Sequence, residues 1–297
     1  MKLITKKNIN DKKYINILNR ILEEKNIITV YQPIISLKDG QIYGFEALTR
    51  IFEKTQKVSI EHIFKIADKM NKLWELETLC RKDALKNAKK IKPEMKLFLN
   101  VNPNIIHDKN FKNGFTKNRL IKYGLDFLDI VFEITERNAI IDMEAFLGSI
   151  DHYKKEEFKI AIDDVGSGYS GLNTINDVRP DLIKIDMNLI RNIDKDELKQ
   201  HLCKAMVDFG KNTGIKVIVE GIETKEELLT LIKMDVEYGQ GYYLGAPQET
   251  FENIEPEKIK LIKKYKKSVR YITNGNCSPP CSDGEQLLRT LGDMVDL

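Results

Sequence analysis

The chain has 297 residues, 42% of them hydrophobic and 31% charged, a composition typical of globular proteins rather than of disordered or fibrous ones. Lys and Arg number 48 against 45 Asp and Glu, and the net charge of +3 is too small to indicate binding of a nucleic acid polymer by bulk charge. The four cysteines form no disulfide framework, no apolar run approaches the roughly 20 residues of a membrane span, and the first residues lack a signal-peptide core, so we expect a cytoplasmic protein without a membrane span.

The first part of the chain predicts a helix followed by an antiparallel strand pair. Residues 10–25 place apolar side chains on one face of a helix. Two strand-like runs follow at 28–37 and 41–50, and Asp39-Gly40 between them predicts a type I′ hairpin.

From residue 59 onward the pattern alternates between helices and short strands. Helices, two of them capped by Ser59 and Thr224, are predicted at 59–70, 73–90, 117–123, 143–155, 187–213, 225–234 and 256–271. Strands are predicted at 96–101, 129–135, 158–163, 181–186, 216–220 and 238–242. This alternation indicates an α/β protein with a parallel sheet, and about eight units fit a (β/α)₈ barrel better than an open sheet. The opening hairpin is irregular for that fold.

Polar residues stand where the predicted strands end, which is where such barrels carry their catalytic groups. These residues are Glu46, Asn100, Glu133, Asp163, Asp164, Lys184, Asp186, Glu220, Glu223 and Gln240. Any one acid could simply cap the next helix, but together they would crowd like charges unless cations neutralise them. Oxygen donors without His or Cys favour Mg²⁺ or Mn²⁺, and adjacent aspartates leave room for a carboxylate that bridges two ions, as in phosphodiester hydrolysis.

Individual side chains also have plainer interpretations. Lys184 could form a salt bridge at the edge of the core. Arg50 could be a solvated charge rather than a side chain that makes two hydrogen bonds to a phosphate, and Gln240 could be a turn residue.

A competing motif lies in the loop after the aspartates. The segment 166–171 satisfies G-x-G-x-x-G, and Asp186 follows about 20 residues later, as a dinucleotide-binding fold requires. We reject that interpretation because Asp163 and Asp164 directly precede the glycines and would repel a pyrophosphate. The preceding chain also lacks the β-α-β start of that fold.

Taken in order, the segments at the strand ends resemble one known family. Glu46-Ala47-Leu48-Thr49-Arg50 resembles the signature of the EAL domain family of cyclic di-GMP phosphodiesterases. Seven further segments fit the same family, at 31–34, 100–103, 132–136, 163–168, 184–186, 219–223 and 240–243. The resemblance covers about residues 26–250 and implies a modified TIM-type (β/α)₈ barrel whose first two strands are antiparallel. The irregular hairpin therefore becomes support for this fold.

The resemblance implies an activity as well. Family members hydrolyse cyclic di-GMP to linear 5′-pGpG at a two-metal site with Mg²⁺ or Mn²⁺, and Ca²⁺ is expected to inhibit. It also implies a homodimer formed through the loop after Asp164. The alternative is a catalytically weak EAL domain that acts as a cyclic di-GMP receptor. We favour the enzyme because every expected position is filled.

Each site residue has a role that the resemblance implies. The first metal would be bound by Glu46, Asn100, Glu133 and Asp163, and the second by Asp163 and Asp164. The catalytic group would be Glu220, Lys184 and Glu223, of which the first two position and activate the attacking water. The dinucleotide pocket would be lined by Gln32, Leu48, Arg50, Asp186 and Gln240. Glu136, together with Glu223, would anchor the loop after Asp164.

These observations divide the chain into an N-terminal helical extension at 1–25, a phosphodiesterase barrel at 26–255, a terminal barrel helix at 256–271 and a tail or linker at 272–297. Val165 departs from the phenylalanine usual in the family, and residues 244–247 depart from Phe-Ser-Lys/Arg-Pro. We expect both departures to affect the affinity for the dinucleotide more than the catalytic mechanism. Cys277 and Cys281 lack a second cysteine pair, so a linker is favoured over a metal site.

Overall fold

Eight strands close into a barrel in the computed structural model, which describes residues 2–51, 58–88, 90–92, 94–126, 129–135, 142–166 and 171–273. The strands are β1 (Ile27–Ser36), β2 (Ile42–Ile51), β3 (Lys96–Asn100), β4 (Ile130–Thr135), β5 (Lys159–Val165), β6 (Leu182–Ile185), β7 (Lys216–Val219) and β8 (Tyr238–Gly239). Their order around the barrel is their order along the chain.

Helices surround this barrel. They are α1 (Lys2–Glu24), α2 (Ile60–Lys69), α3 (Leu73–Ala88), α4 (Phe115–Tyr123), α5 (Met143–Lys155), α6 (Gly171–Val178), α7 (Met187–Ile190), α8 (Glu197–Thr213), α9 (Lys225–Lys233) and α10 (Pro256–Thr273), with 3₁₀ turns at Pro103–His107 and Ile193–Lys195. Ser59 caps α2, and Thr224 begins α9 with a capping box, as predicted. No helix among the described residues is long and apolar enough to cross a membrane.

Strand direction confirms the predicted barrel with an antiparallel start. Strand β1 runs antiparallel to both of its neighbours, β2 and β8, whereas every other adjacent pair is parallel. A hairpin reverses the chain after β1, and helical crossovers then keep the later strands parallel. Parallel strands whose two faces are both covered should be continuously apolar, and all six residues of β4 except Thr135 are buried.

The predicted hairpin between β1 and β2 is confirmed, but its predicted type I′ turn is wrong. Five residues separate β1 from β2, and only Gly40 has a positive φ, of 70°, whereas a type I′ turn requires positive φ at both central residues. The side chain of Leu37 is fully buried, and its N–H donates to the carbonyl of Glu237 at 2.8 Å. This attachment draws the loop toward the chain next to β8 and prevents a two-residue turn.

The single helix predicted over 187–213 is also wrong, because the chain breaks there into α7, a 3₁₀ turn and α8. Asn192 adopts a left-handed conformation with φ of 57°, which interrupts helical geometry. Asp196 then begins α8 by accepting a hydrogen bond from the backbone N–H of Lys199 at 3.1 Å. The strand predicted at 238–242 is shorter than expected, since only Tyr238–Gly239 pairs.

Helix α1 is attached to the barrel by its own apolar cluster. Three of its side chains, Ile17, Leu18 and Ile21, pack with residues of α2 and α3 and are almost completely buried. The other buried members of the cluster are Ile27, Ile63, Ile66, Ala67 and Leu76. The cluster therefore supports α2 from behind. Glu136, Cys277 and Cys281 lie outside the described residues.

Gly44 shows how closely the strands approach. It faces Lys96 across the β2–β3 pair, and a Cβ added at Gly44 would lie 2.3 Å from the carbonyl oxygen of Lys96. Gly148 in α5 is a matched control, because a Cβ there would meet only the terminal methyl of Ile106 at 2.7 Å.

We therefore expect Gly44→Ala to lower the free energy of unfolding by about 1–3 kcal/mol, because a backbone carbonyl cannot move aside as a side chain can. Gly148→Ala should cost less, since Ala also favours a helix interior. Urea denaturation of both variants measures the difference. Equal losses of unfolding free energy in the two variants would contradict the close approach of β2 and β3 at Gly44.

Candidate metal centre

The barrel strands place polar residues above an apolar floor. Side chains two apart on a strand point to the same face. The interior floor contains Ile34, Phe98, Val131, Ala161, Leu182, Ile218 and Tyr238. Six of these floor residues are each followed two positions later by a polar residue, namely Asn100, Glu133, Asp163, Lys184, Glu220 and Gln240. In the reversed strand β1, Gln32 lies two residues before Ile34 instead. These six strand-end residues therefore lie on the inward face of the barrel, at its mouth.

Lys184 lies at the centre of this group. Its Nζ is 2.7 Å from Glu220 Oε1, 2.9 Å from Glu133 Oε1, 3.2 Å from Glu46 Oε2 and 3.3 Å from Asp163 Oδ1, and its side chain is fully buried. An ammonium has three N–H donors. One lysine therefore faces four carboxylates with too few donors to satisfy them all.

Glu46 receives more neutral donors than the other acids. Gln240 Nε2 donates to its Oε2 at 2.7 Å, and Asn100 Nδ2 donates to its Oε1 at 3.1 Å. Burial raises the pKa of Glu46, but the Lys184 charge and the hydrogen bonds from Gln240 and Asn100 outweigh it and lower the pKa below its usual value. Gln240 also donates to Gln32 Oε1 at 3.0 Å, so Gln240 links Gln32 to Glu46.

The other carboxylates are less well compensated. Burial, followed by the nearby acids, raises the pKa of Glu133 well above its usual value despite Lys184. Burial raises the pKa of Glu220 to about 8, with Asp163 and Glu46 adding to the effect. Burial is also the main reason why the pKa of Asp163 is raised. Within the described residues, Glu133 Oε1 and Asp163 Oδ1 accept no well-directed hydrogen bond.

Asp164 brings a fifth carboxylate to the rim. It adopts the left-handed conformation with φ of 59°, in which a strand-end Asp is tolerated but uncommon. Carboxylate oxygens of Asp163, Asp164 and Glu220 all lie within 4.8 Å of one another. Burial, then repulsion from Asp163 and Asp186, raises the pKa of Asp164 to about 7.

This arrangement fits a hard divalent cation. Five carboxylates share one ammonium, which leaves a formal excess of four negative charges in a largely buried space. The donors are carboxylate and amide oxygens, the ligands that Mg²⁺ and Mn²⁺ prefer. Lys184 is the cation that faces the buried oxygens Glu133 Oε1 and Asp163 Oδ1, and it is shared among four carboxylates, so additional positive charge would suit this group.

A cavity of about 690 Å³ opens beside the acids. Its lining includes Glu46, Asn100 and Asp164 from the acidic group and Leu48 and Arg50 from β2. Helices α2 and α3 form its opposite wall, with Phe64, Lys65, Glu77, Cys80 and Arg81 among the lining residues. The volume lies in the range usual for pockets that bind small organic ligands.

Three other predicted site residues have different surroundings. Asp186 is buried and caps α7 by accepting a hydrogen bond from the N–H of Asn188 at 2.8 Å. Glu223 pairs with Arg191 rather than with the acids around Lys184. Arg50 is exposed at the cavity and donates to the carbonyl of Thr49 at 3.2 Å.

Sequence reasoning missed the wall of the cavity that α3 provides. Glu77 and Arg81 lie on the helix face that also carries Leu73, Ala84 and Ala88, all of them buried. The sequence did contain one signal of this buried pair, because two opposite charges stand four residues apart within an apolar stripe of the helix. An exposed i, i+4 pair has the same spacing, so only burial separates the two cases.

Comparison with known proteins gives one consistent result. A family model described as the EAL domain matches residues 15–247. The chain is 31% identical over 222 residues to a protein of Borreliella burgdorferi named cyclic di-GMP phosphodiesterase PdeA, an alignment that covers 73% of this chain and 33% of that protein. The chain therefore spans about a third of the length of this curated relative.

Two solved structures extend the comparison. A standalone EAL protein from Vibrio cholerae O395 in its c-di-GMP bound form is 29% identical, with a TM-score of 0.66 over 78% of this chain and 96% of that one. A manganese and cyclic di-GMP complex of BlrP1 from Klebsiella pneumoniae is 26% identical, with a TM-score of 0.69 over 77% of this chain and 58% of that one.

The raised pKa values predict how pH affects the metal-free protein. The pKa of Asp164 is about 7 and that of Glu220 about 8, whereas unfolded Asp and Glu titrate near about 3.9 and 4.3. The stabilisation from these carboxyls is complete when the pH is below their pKa values in the unfolded chain. It is lost as the pH rises through their pKa values in the folded protein. In EDTA, the melting temperature should therefore fall between about pH 4 and about pH 8, and these two carboxyls should contribute no further loss above that range.

Neutral substitutions provide the control for this prediction. The double variant Asp164→Asn/Glu220→Gln should lose much of the pH slope, because its amides do not ionise. The exposed pair Asp177→Asn/Glu249→Gln should keep it. If the double site variant retained the full wild-type slope, these two carboxyls would not be its source.

Proposed function

The chain belongs to the EAL domain family, and from that premise we propose that it is a metal-dependent phosphodiesterase that hydrolyses cyclic di-GMP to linear 5′-pGpG. The observation that carries the proposal is the ring of carboxylates around Lys184 at the mouth of the barrel, next to a cavity. Relatives named as cyclic di-GMP phosphodiesterases support the choice of substrate.

The proposed metal ligands follow from the sequence motifs. Glu46, Asn100, Glu133 and Asp163 would hold one ion, and Asp163 with Asp164 would hold the second. When bound, Mg²⁺ or Mn²⁺ would acidify a water and neutralise charge on the phosphate oxygens. The oxygen donor set and the excess of carboxylates over the single ammonium of Lys184 support this assignment.

Glu220 is the proposed acceptor of the water proton. Its side chain is 18% exposed, more than those of Glu46, Glu133 and Asp163, so a water can reach it. The product 5′-pGpG keeps its phosphate on the 5′ oxygen. The water oxygen must therefore bond to phosphorus as the bond from phosphorus to the 3′ oxygen breaks, and that oxygen leaves with a proton.

Lys184 has two proposed tasks. As a buried cation it keeps the surrounding carboxylates close together, which a ring of acids alone would not tolerate. Its charge also stabilises the negative charge that develops on the phosphate. Under this proposal Glu223 has an indirect role, because its ion pair with Arg191 holds the chain that follows Glu220.

The cavity beside the acids would hold the dinucleotide. Arg50 can form two parallel hydrogen bonds to a phosphate, and Leu48 offers apolar surface to a base. Gln240 would act mainly through Glu46, to which it donates a hydrogen bond, and Gln32 through Gln240. Asp186 would influence the site through its repulsion of Asp164.

Several finer properties belong to the same proposal. The resident ions would be Mg²⁺ or Mn²⁺, and Ca²⁺ would inhibit because its looser coordination suits the reaction poorly. The active form would be a cytoplasmic homodimer that pairs through the loop after Asp164. Leu198 and Leu202, one turn apart on α8 and 69% and 49% exposed, offer an apolar surface that such a contact could also use.

We expect purified protein to convert cyclic di-GMP to 5′-pGpG with Mg²⁺ or Mn²⁺ and to do nothing in EDTA, because the acids alone repel a phosphate. Chromatographic separation of the nucleotides measures this. Tight binding without hydrolysis would instead identify a receptor, and the absence of both would contradict the proposed substrate.

Two substitutions test the assigned roles. Asp163→Asn should abolish turnover, because it removes the proposed bridging charge, and Glu220→Gln should stop hydrolysis while cyclic di-GMP still binds. Glu249→Gln, at an exposed position, is the control. Turnover at the wild-type rate in Asp163→Asn would refute the two-metal assignment. Loss of nucleotide binding in Glu220→Gln would show that Glu220 is not simply the base.

A further inference from the structure

A second buried ion pair lies behind the metal centre, in the α3 wall of the cavity. Arg81 Nη2 donates to Glu77 Oε2 at 2.9 Å, and the two residues are only 5% and 3% exposed. The motifs that assign the site residues include neither of them. The pair is electrically neutral as a unit, so it adds no charge to the acidic ring.

Each member of the pair also contacts the barrel rim. Glu77 Oε1 accepts a hydrogen bond from the backbone N–H of Asn102 at 2.8 Å. Asn102 stands two residues after Asn100, the proposed metal ligand at the end of β3. This N–H lies beyond the last strand residue and needs a partner from outside the sheet. Glu77 is that partner.

Arg81 fixes the other side of the same region. Its Nη1 donates to Thr116 Oγ1 of α4 at 2.9 Å, and its guanidinium lies over the rings of Phe132 and Tyr153 at 5.1 and 5.8 Å. Phe132 directly precedes Glu133 on β4. The pair is therefore linked to both strands whose ends carry Asn100 and Glu133.

Stability alone is a poor explanation for such a pair. Removing two charges from water is costly, and replacing a buried ion pair with apolar side chains of similar volume is often neutral or stabilising. What apolar side chains cannot provide is an acceptor for the Asn102 N–H. That acceptor sets the direction in which the chain leaves β3.

We infer that Glu77 is a positioning residue of the metal centre: it holds the backbone at Asn102 so that Asn100 faces the cation, and Arg81 neutralises it. The inference rests on the proposed function for its link to catalysis but not for its link to metal binding. Partners of this kind, which orient ligands without touching the metal, commonly change metal affinity or activity by about 10- to 100-fold.

Two double variants separate the hydrogen bond from the ion pair. Both Glu77→Leu/Arg81→Met and Glu77→Gln/Arg81→Met remove the two charges, but only the second keeps an acceptor for the Asn102 N–H. Calorimetric titration with Mn²⁺ measures metal affinity without any turnover, and kcat and KM are measured alongside. Circular dichroism and thermal melting check the fold.

We expect Glu77→Leu/Arg81→Met to bind Mn²⁺ about tenfold or more weakly and to lose kcat by a similar factor, with a smaller change in KM. Glu77→Gln/Arg81→Met should keep a Mn²⁺ affinity within a few-fold of wild type. Equal Mn²⁺ affinity in the two folded variants, whether normal or reduced, would overturn the inference. If wild type binds Mn²⁺ but does not hydrolyse cyclic di-GMP, the proposed function fails while this comparison still stands.

A second matched pair leaves the buried charges untouched and applies if the first variants do not fold. Asn102→Pro removes the N–H itself, and φ of −87° at this position is near the range that proline accepts. Asn102→Ala removes the side-chain cap to Asn104 but keeps the N–H. Weaker Mn²⁺ binding in the proline variant alone supports the inference, and equal binding in both overturns it.

Discussion

The buried ammonium of Lys184 is the constraint on which the rest of the site depends. Four carboxylates lie within 3.3 Å of one nitrogen that has three hydrogens to donate. The apolar floor below, which includes Val131 and Leu182, gives these charges no hydration from within the barrel. The acids therefore share a cation that cannot satisfy them all. Burial raises the pKa values of Glu133, Asp163 and Glu220, and Lys184 offsets this only in part, whereas the pKa of Glu46 is lowered. A site of this kind favours additional divalent cations because they supply the missing positive charge.

The barrel creates this concentration of charge, and the surrounding helices hold it in place. Side chains alternate along each strand, so a ring of apolar residues is followed by a ring of polar ones at the mouth. The neutral donors Asn100 and Gln240 fix Glu46 without adding charge. Behind them, Glu77 fixes the chain after β3 while Arg81 cancels its charge. Helix α1, through its apolar cluster, supports the α2 side of the cavity.

Much of this could be predicted from the sequence, since strand periodicity and residue chemistry are local properties. The alternation of helices and strands predicts the barrel, and the strand-end acids predict a common site. Properties that depend on tertiary contacts could not be predicted. The hairpin differs from a type I′ turn because Leu37 is held beside β8, and the helix after β6 breaks at a left-handed Asn192. Glu77 resembles an ordinary surface residue until the burial of α3 is known. Likewise, the sequence order of Glu223 and Glu220 does not reveal that Glu223 pairs with Arg191.

We expect the carboxylate ring around Lys184 to bind divalent cations. Anomalous diffraction from crystals of the protein grown with Mn²⁺ tests it most directly. The account predicts two peaks, one beside Glu46, Asn100, Glu133 and Asp163, and one beside Asp163 and Asp164. Crystals in which Mn²⁺ occupies other sites, while these carboxylates contact only Lys184 and water, would contradict it.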